Sequence, residues 1–410
     1  MPFEVVLRRH SLGAGLVLLL AGQGAAQADN ALFADELGGR EARLGGVLKL
    51  GSTLVDEPER ERAYLSSGFA RLEYEQPLGP SGKLIAHGQL DLLAASDRRL
   101  YQAMRDQPGP VDRSLTLHKR LEHGHQHQWR ASLDWLYYQH DWEGGRLTLG
   151  RQPVSLTQGR IWSPADLLAP FAPGDLERLY KPGVDGIRLA WSATADLNLT
   201  SMVTSAKVQG EGSHANFLQQ ADWADERGKT TLLLSYRDGQ RSVALSRQHN
   251  NLLAGADVYG ELAASRLEAR SAQLWRDRTA VRAVVGLNRK VAENTLLTLE
   301  YFYQSLGVTE PADYAAFEQR AAQTDLPAMG LGRHKLGMAL SRQVSTLLSL
   351  EGQWQANLND GSSAVSGLLK YSLQKDLELR AAFSLAVGGK RDSEYRRLGN
   401  AWQLGMFYYW

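Results

Sequence analysis

The chain has 410 residues, 46 basic and 45 acidic, and a formal net charge of +1. That balance leaves no clustered basic face for a nucleic-acid partner. The absence of cysteine excludes disulfides, thiolate metal sites, covalent c-type haem and cysteine nucleophiles.

Residues 1–28 predict a secretory signal peptide. Arg8 and Arg9 precede an apolar run from Leu12 to Ala21, and Ala26 and Ala28 stand in A-x-A spacing. The run is too short to cross a bilayer, which takes roughly 20 residues; a buried N-terminal helix is the competing reading. Cleavage after Ala28 leaves 382 residues starting at Asp29. The leader carries Arg8, Arg9 and Glu4, so the mature chain holds 44 basic and 44 acidic residues. No later apolar run reaches helix-spanning length, so a membrane location requires strands.

The remaining chain, from near Leu44 to Trp410, reads as short segments of period two. "QWRASLDWLYYQ" sets Trp129, Ala131, Leu133, Trp135 and Tyr137 against Arg130, Ser132 and Asp134. "TLLTLEYFYQ" sets Leu297, Leu299, Tyr301 and Tyr303 against Thr298, Glu300 and Gln304. "TLLSLEGQWQA" and "LELRAAFSLA" repeat the rule, the latter with Leu377, Leu379, Ala381, Phe383 and Leu385 opposite Glu378, Arg380 and Ser384. Tight connections ("GPSG", "EGG", "RDGQR", "VAEN", "QKD") alternate with longer ones at about 96–127, 157–183, 207–228, 306–331 and 388–400. Roughly ten-residue alternating segments between short turns and long loops are the pattern of a transmembrane barrel. A closed sheet pairs every backbone amide in lipid and has no edge. A soluble sandwich leaves the leader and the number of long strands unexplained. The segments predict an all-β, antiparallel up-and-down barrel of about 18 strands, with 16 as second choice. The ambiguity lies in "DVYGELAASRLEARSAQLWRDRT", which reads as one strand and a loop or as two strands. Either count leaves room for an aqueous channel.

The last stretch, "AWQLGMFYYW", has one wholly apolar face of Trp402, Leu404, Met406, Tyr408 and Trp410. It resembles the C-terminal targeting strand of Gram-negative outer-membrane barrels, which implies recognition by the barrel-assembly machinery. Trp402 and Trp410 suit the two interfacial belts of a surrounding outer-membrane lipid bilayer.

"LTLGRQPVSLTQGRIWSPADLLAPFAPGDLERLYKPGVDGIRL" carries a Gly-Arg-Gln strand end, a Pro-x-Asp-Leu loop and a Gly-x-Asp-x-x-Arg-Leu return strand. About forty residues thus resemble porin-like outer-membrane families, among them alginate-export-like proteins. Alginate export would imply a strongly basic lumen, which this chain does not display. Read physically, residues 157–183 hold Pro164, Pro170, Pro173 and Pro182, so they are neither helix interior nor ladder strand. They also hold Ile161, Trp162, Leu167, Leu168 and Phe171, too apolar a set for a water-facing loop, and a constriction built from them would include Arg160 and Asp166. Two placements follow: a loop folded into the barrel that narrows the pore, or a cap above the rim. Gly150 beside Arg151 predicts a bulge, since strict alternation points Arg151 at lipid.

The polar faces predict inward cations at Lys49, Arg71, Arg130, Arg188, Arg282, Lys335, Lys370 and Arg380, and inward anions at Glu73, Asp91, Asp134, Glu300, Glu351 and Glu378. The slight basic excess predicts a weak anion preference at most; cross-strand pairing that selects nothing is the competing account. His123, His125 and His127 stand at period two above the strand beginning at Trp129, and imidazoles so placed can bind zinc, copper or nickel. A solvated rim is the alternative, since no carboxylate or thiolate completes a site. Enzyme motifs are missing: Trp223 stands where the first glycine of a phosphate loop would precede "GKT", and neither H-E-x-x-H nor G-x-S-x-G occurs. The sequence therefore predicts a passive channel for small hydrophilic solutes, with no enzyme activity and no cofactor. A receptor or adhesin acting through long loops is the alternative, and a rim-active hydrolase a more distant one.

Overall fold

Alternation at period two can be satisfied in lipid only if the strands close into a ring, and they do. The computed structural model describes residues 41–57, 62–105, 113–156, 159–168, 171, 173, 176, 180–208, 212–237, 239–267, 279–321 and 329–410. The leader expected over residues 1–28 lies outside the described residues, as do residues 268–278 of the stretch whose strand number was open. The chain forms β1 (Arg43–Asp56), β2 (Ala63–Leu78), β3 (Gly82–Ala95) and helix α1 (Arg98–Arg105). There follow β4 (His118–His123), β5 (His127–Trp142), β6 (Gly145–Pro153), β7 (Gly183–Ser192), β8 (Leu197–Val208) and β9 (Gly212–Asp225). Next come β10 (Gly228–Arg237), β11 (Gln240–Leu253), β12 (Ala256–Arg266), β13 (Thr279–Ala292), β14 (Thr295–Gln304) and helix α2 (Tyr314–Ala321). The last part holds β15 (His334–Gln343), β16 (Leu348–Asn357), β17 (Ser362–Gln374), β18 (Leu377–Gly388), α3 (Glu394–Leu398) and β19 (Asn400–Tyr409).

All strand pairs are antiparallel, and β1 pairs with both β2 and β19, so the sheet closes. Strand β4 is a six-residue addition that pairs only with β5; the other eighteen strands make the barrel. The outer face is apolar and open: Leu404 is 68 % exposed, Val285 59 % and Phe217 54 %. Trp142, Trp191, Trp223, Tyr371 and Tyr408 ring the rim with short turns, and Tyr64, Tyr236 and Trp402 lie near the other, as interfacial aromatics do. At the closing seam Trp410 exchanges two backbone hydrogen bonds with Gly46. A Cβ at Gly46 would collide with the Trp410 indole, so glycine is needed for the last ring to lie flat on β1.

Four expectations need correction. The stretch 207–228, expected as a long loop, contains β9. Its pattern is disguised because Leu218 faces inward, while Gln219 faces outward and accepts a 2.5 Å hydrogen bond from Ser201 Oγ. The "RDGQR" turn, between β10 and β11, sits on the long-loop rim.

Strand β5 does not keep one face. The register with β3 shifts at His87/Gly88, which pair with Trp135 and Leu133 and leave Asp134 as the extra residue of a bulge. Before it Trp129, Ala131 and Leu133 face outward. After it Trp135 and Tyr137 face inward, and Leu136, Tyr138 and His140 take the outer face.

The bulge expected at Gly150 is absent: β6 pairs without register shift on both sides. Gly150 does adopt a φ of 116°, with its missing side chain against the Leu136 carbonyl. Arg151 keeps the outer parity and avoids lipid by other means. It pairs with Asp185 directly across the ladder and donates to the carbonyls of Leu115 and Leu133.

The cover over Arg151 comes from residues 113–123. Strands β6 and β7 stop at Pro153 and Gly183, well short of β5 and β8, and this segment fills the wall above them. β4 pairs with the start of β5, Leu133 N–H donates to Leu117, and Lys207 N–H of β8 donates to Arg113. Arg113 also donates to the Gly183 carbonyl and to Asp134, while Ser114 and Leu115 N–H groups donate to Asp185.

Candidate functional site

The inner wall is lined by paired charges. Arg71, 1 % exposed, donates to Asp134 at 2.9 Å, and its Nε lies 3.4 Å from Glu73. Its guanidinium also stands over the rings of Trp135 (4.7 Å) and Tyr180 (4.1 Å), and His87 stacks on Trp135 at 4.4 Å. Arg130 bonds Asp91 at 3.1 Å, Lys370 bonds Glu351 at 2.5 Å, and Arg380 bonds Glu378. Lys335 reaches Glu394 of α3 at 2.5 Å, and Lys49 stands 5.1 Å over Phe407. Arg188 shares the face of Thr148 and Met202 by register, and Arg282 that of Gln304. At least five of the eight cations thus sit in ion pairs, and all six carboxylates are engaged, Glu300 by backbone amides. Pairing between strands, along one strand and with α3 therefore neutralises much of this wall.

The connection between β6 and β7 is held from opposite walls. Glu300 on β14 accepts the N–H groups of Arg160 (2.6 Å), Ile161 (3.1 Å) and Trp162 (3.0 Å), together with the Tyr259 hydroxyl at 2.6 Å. Glu261 on β12 accepts those of Gly159 (2.8 Å) and Ala165 (3.2 Å). Hydrogen bonds to a charged acceptor contribute about 1.5–3 kcal/mol each, so the two carboxylates outweigh any single apolar contact here. Trp162 is fully buried and stacks on Phe302 at 5.4 Å, beside Ile161, Val284 and Met329. Arg237 of β10 donates to the Leu167 carbonyl, and Gln353 and Gln355 of β16 donate to that of Pro173. The segment then reaches β2 and β5: Tyr180 stacks with Phe69 at 6.2 Å, and Trp135 donates to the Lys181 carbonyl. Strands β5 and β14 are nine steps apart in either direction around the ring, so they face each other.

Asp166 is buried and pairs with Lys181, which also stands 5.7 Å over Phe171. Leu168, 1 % exposed, packs with Val154, Leu156 and Leu167 against Met202, Leu218, Leu233, Ala244 and Ala263. Those five are inner-face residues of β8–β12, which explains apolar side chains on a face otherwise polar. Arg160 is exposed.

The three histidines do not share a strand face. His123 ends β4, His127 starts β5, and Gly124 N–H donates to the His127 carbonyl across the turn that contains His125. Among the described residues no group of three potential metal ligands occurs.

Sequence reading missed Tyr259, Glu261, Arg113, Tyr180 and Glu394. The signal for two of them was present: Asp257, Tyr259 and Glu261 stand at period two on the face opposite Leu262, in the stretch whose strand count was ambiguous.

No family model matches the chain, and no curated protein is similar to it in sequence. Solved structures are similar in fold. OprD from Pseudomonas aeruginosa, described as an outer membrane protein, superposes with a TM-score of 0.56 at 10 % identity, covering 90 % of this chain and 93 % of that one. OccK9 (OpdG) of the same organism gives 0.56 at 13 % identity, over 90 % and 98 % of the two chains. OccAB3 of Acinetobacter baumannii gives 0.56 at 10 % identity, over 90 % and 99 %. The chain shares its closed antiparallel barrel fold with these structures. The expected likeness to alginate-export proteins finds no support among these structures.

Proposed function

We propose that the protein is a bacterial outer-membrane channel for passive diffusion of small hydrophilic solutes, with a weak anion preference at most and no enzymatic role. The observation that carries this reading is a barrel of eighteen strands whose inner face is charged and whose β6–β7 connection is fastened to facing walls. Such a barrel is too wide for side chains alone to fill. The OprD and Occ structures share the architecture. Residues 157–183 narrow the lumen, with Arg160, Trp162, Asp166, Leu168 and Phe171 at or behind the constriction. The paired wall charges keep ion selectivity weak. The apolar outer band contacts lipid, and Trp402 to Trp410 form the strand read by the assembly machinery.

Planar-bilayer recordings of the purified protein test this. Discrete conductance steps are expected, and deletion of residues 165–171 should raise them. An adhesin or enzyme with a plugged lumen gives no steps in either form. Steps that the deletion leaves unchanged keep the channel and remove the constriction.

A further inference from the structure

The outer wall carries two charges that its apolar pattern does not explain. Arg241 of β11 and Arg266 of β12 stand directly opposite each other on the outer parity, and both are exposed. Like charges facing each other across a ladder repel. Among the described residues neither guanidinium has an ion pair or a hydrogen bond. The outer faces of β10, β11 and β12 carry no carboxylate that could serve them. Both arginines sit at strand ends on the long-loop rim, since β11 starts at Gln240 and β12 stops at Arg266.

A groove leads away from this pair. It has a volume of about 660 Å³, holds Arg241 at one end, and is lined by Ile187, Leu189, Val203, Phe217, Leu234 and Tyr236. Ile187, Val203, Phe217, Tyr236 and Arg241 are successive register partners from β7 to β11. Ile187, Val203 and Phe217 lie well inside their strands, so the groove passes from the charged rim into the apolar band. Ser201 lies between Leu189 and Gln219 in the register and is short, which lowers the floor.

We infer that this groove binds one phosphorylated glycolipid of the outer leaflet, with an acyl chain along the groove and a phosphate between Arg241 and Arg266. Guanidinium groups match phosphate oxygens in paired, charge-assisted hydrogen bonds. A single phosphate between the two arginines turns their mutual repulsion into attraction for one anion. Tyr236, opposite Arg241, adds a hydroxyl at the same level on an amphipathic ring of the kind that sits at headgroup depth. The long-loop side of such barrels faces the outer leaflet. A second copy docked by the same face about a two-fold axis would set arginine against arginine, so charge favours the lipid.

Native mass spectrometry of the purified full protein in mild detergent tests this, with lipid A carrying two phosphates as the probe. Wild type should hold one lipid per chain. Removing the phosphates from the lipid, or the charges by Arg241→Gln/Arg266→Gln, should weaken binding about tenfold or more. Phe217→Ser/Leu234→Ser should weaken it through the groove. Arg289→Gln, an exposed arginine on the outer face near the opposite rim, should leave it unchanged. Equal binding of the dephosphorylated lipid, or by the double arginine variant, would reduce the lipid to ordinary annular contact and overturn the site. Displacement of the lipid by an equal concentration of inorganic phosphate would overturn it as well, as would paired copies with no lipid bound. If the groove variant fails to assemble, the two lipids on wild type and the rim variants still decide. The readout involves no conduction, so the channel reading and the lipid site fail separately.

Discussion

Arg151 on β6 and Asp185 on β7 face each other across the ladder with Nε 2.6 Å from Oδ1, both buried on the parity that elsewhere meets lipid. The pair is sheltered only because residues 113–117 lie over it. Removing one partner strands a charge in a dry wall. Arg151→Ala is expected to cost about 3–5 kcal/mol, while the double replacement Arg151→Met/Asp185→Leu costs less than either single change. The urea midpoint for loss of the heat-resistant folded form in detergent measures this. A double variant weaker than both singles would contradict it.

The bulge at Asp134 is open to direct test, since the natural chain offers no competing thiol. Trp135→Cys should react with a bulky water-soluble maleimide in membranes, whereas Leu133→Cys and Leu136→Cys should not. Labelling at Leu136→Cys, with Leu133→Cys and Trp135→Cys both protected, would restore an unbroken face to β5.

Asp360, in the turn before β17, binds the loops of the open rim together. It accepts the Tyr314 hydroxyl at 2.6 Å and the Glu394 N–H at 2.7 Å. Burial alone would raise its pKa, but hydrogen bonds from Glu394, Tyr314 and Ser362 hold it below the ordinary 3.8. A depressed carboxylate stabilises above its unfolded pKa and loses that contribution as pH falls through the folded one. Protection of the Glu394 and Ser362 amides, relative to the unstructured exchange rate at the same pH, should therefore be high at neutral pH and fall only below about pH 4. Asp360→Asn should lower that protection at every pH. Protection that persists equally in the variant would refute this.

The terminal strand gives the fourth prediction. Replacing Tyr408 and Trp410 by Asp and Lys should reduce outer-membrane levels and leave periplasmic aggregates. A charge on the lipid face costs up to ~2–4 kcal/mol at midplane and less near the interface. The two rings stack at 6.1 Å, and Trp410 closes the seam with Gly46, so assembly loses packing as well. Gly46→Val should fail in the same way through steric exclusion. Normal membrane levels of both variants would remove the terminal strand from the assembly step.

The architecture was legible because lipid imposes a simple rule on each strand. Glu300 opposite Leu299 and Tyr301, or Arg380 opposite Leu379 and Ala381, needs no tertiary knowledge. The rule fails where protein replaces solvent on the inner face. Leu218 and Leu233 face inward because the β6–β7 connection covers them, so β9 looked like a loop. It fails again where one residue is inserted: nothing local to Asp134 announces a bulge, and every later side chain of β5 changes face. Glu300 was found as an inward residue and Glu261 was not, and neither was recognisable as a holder of backbone amides. Their partners lie about 140 and 100 residues away in sequence, and main-chain donors carry no side-chain signature.

The wall segment at 113–123 has a mechanical consequence. Elsewhere each strand is zipped to both neighbours along its length, so opening any joint means breaking a whole ladder. Among the described residues the backbone contact between this segment and β8 is the bond from Lys207 to Arg113, while its foot is held to β5 and β7 through the side chains of Arg113 and Asp185. The barrel therefore has a seam of its own, distinct from the one its termini make. Strain applied to the ring, by bilayer thinning or by a bulky solute, concentrates there, and the ring yields at a place set by where β6 and β7 end.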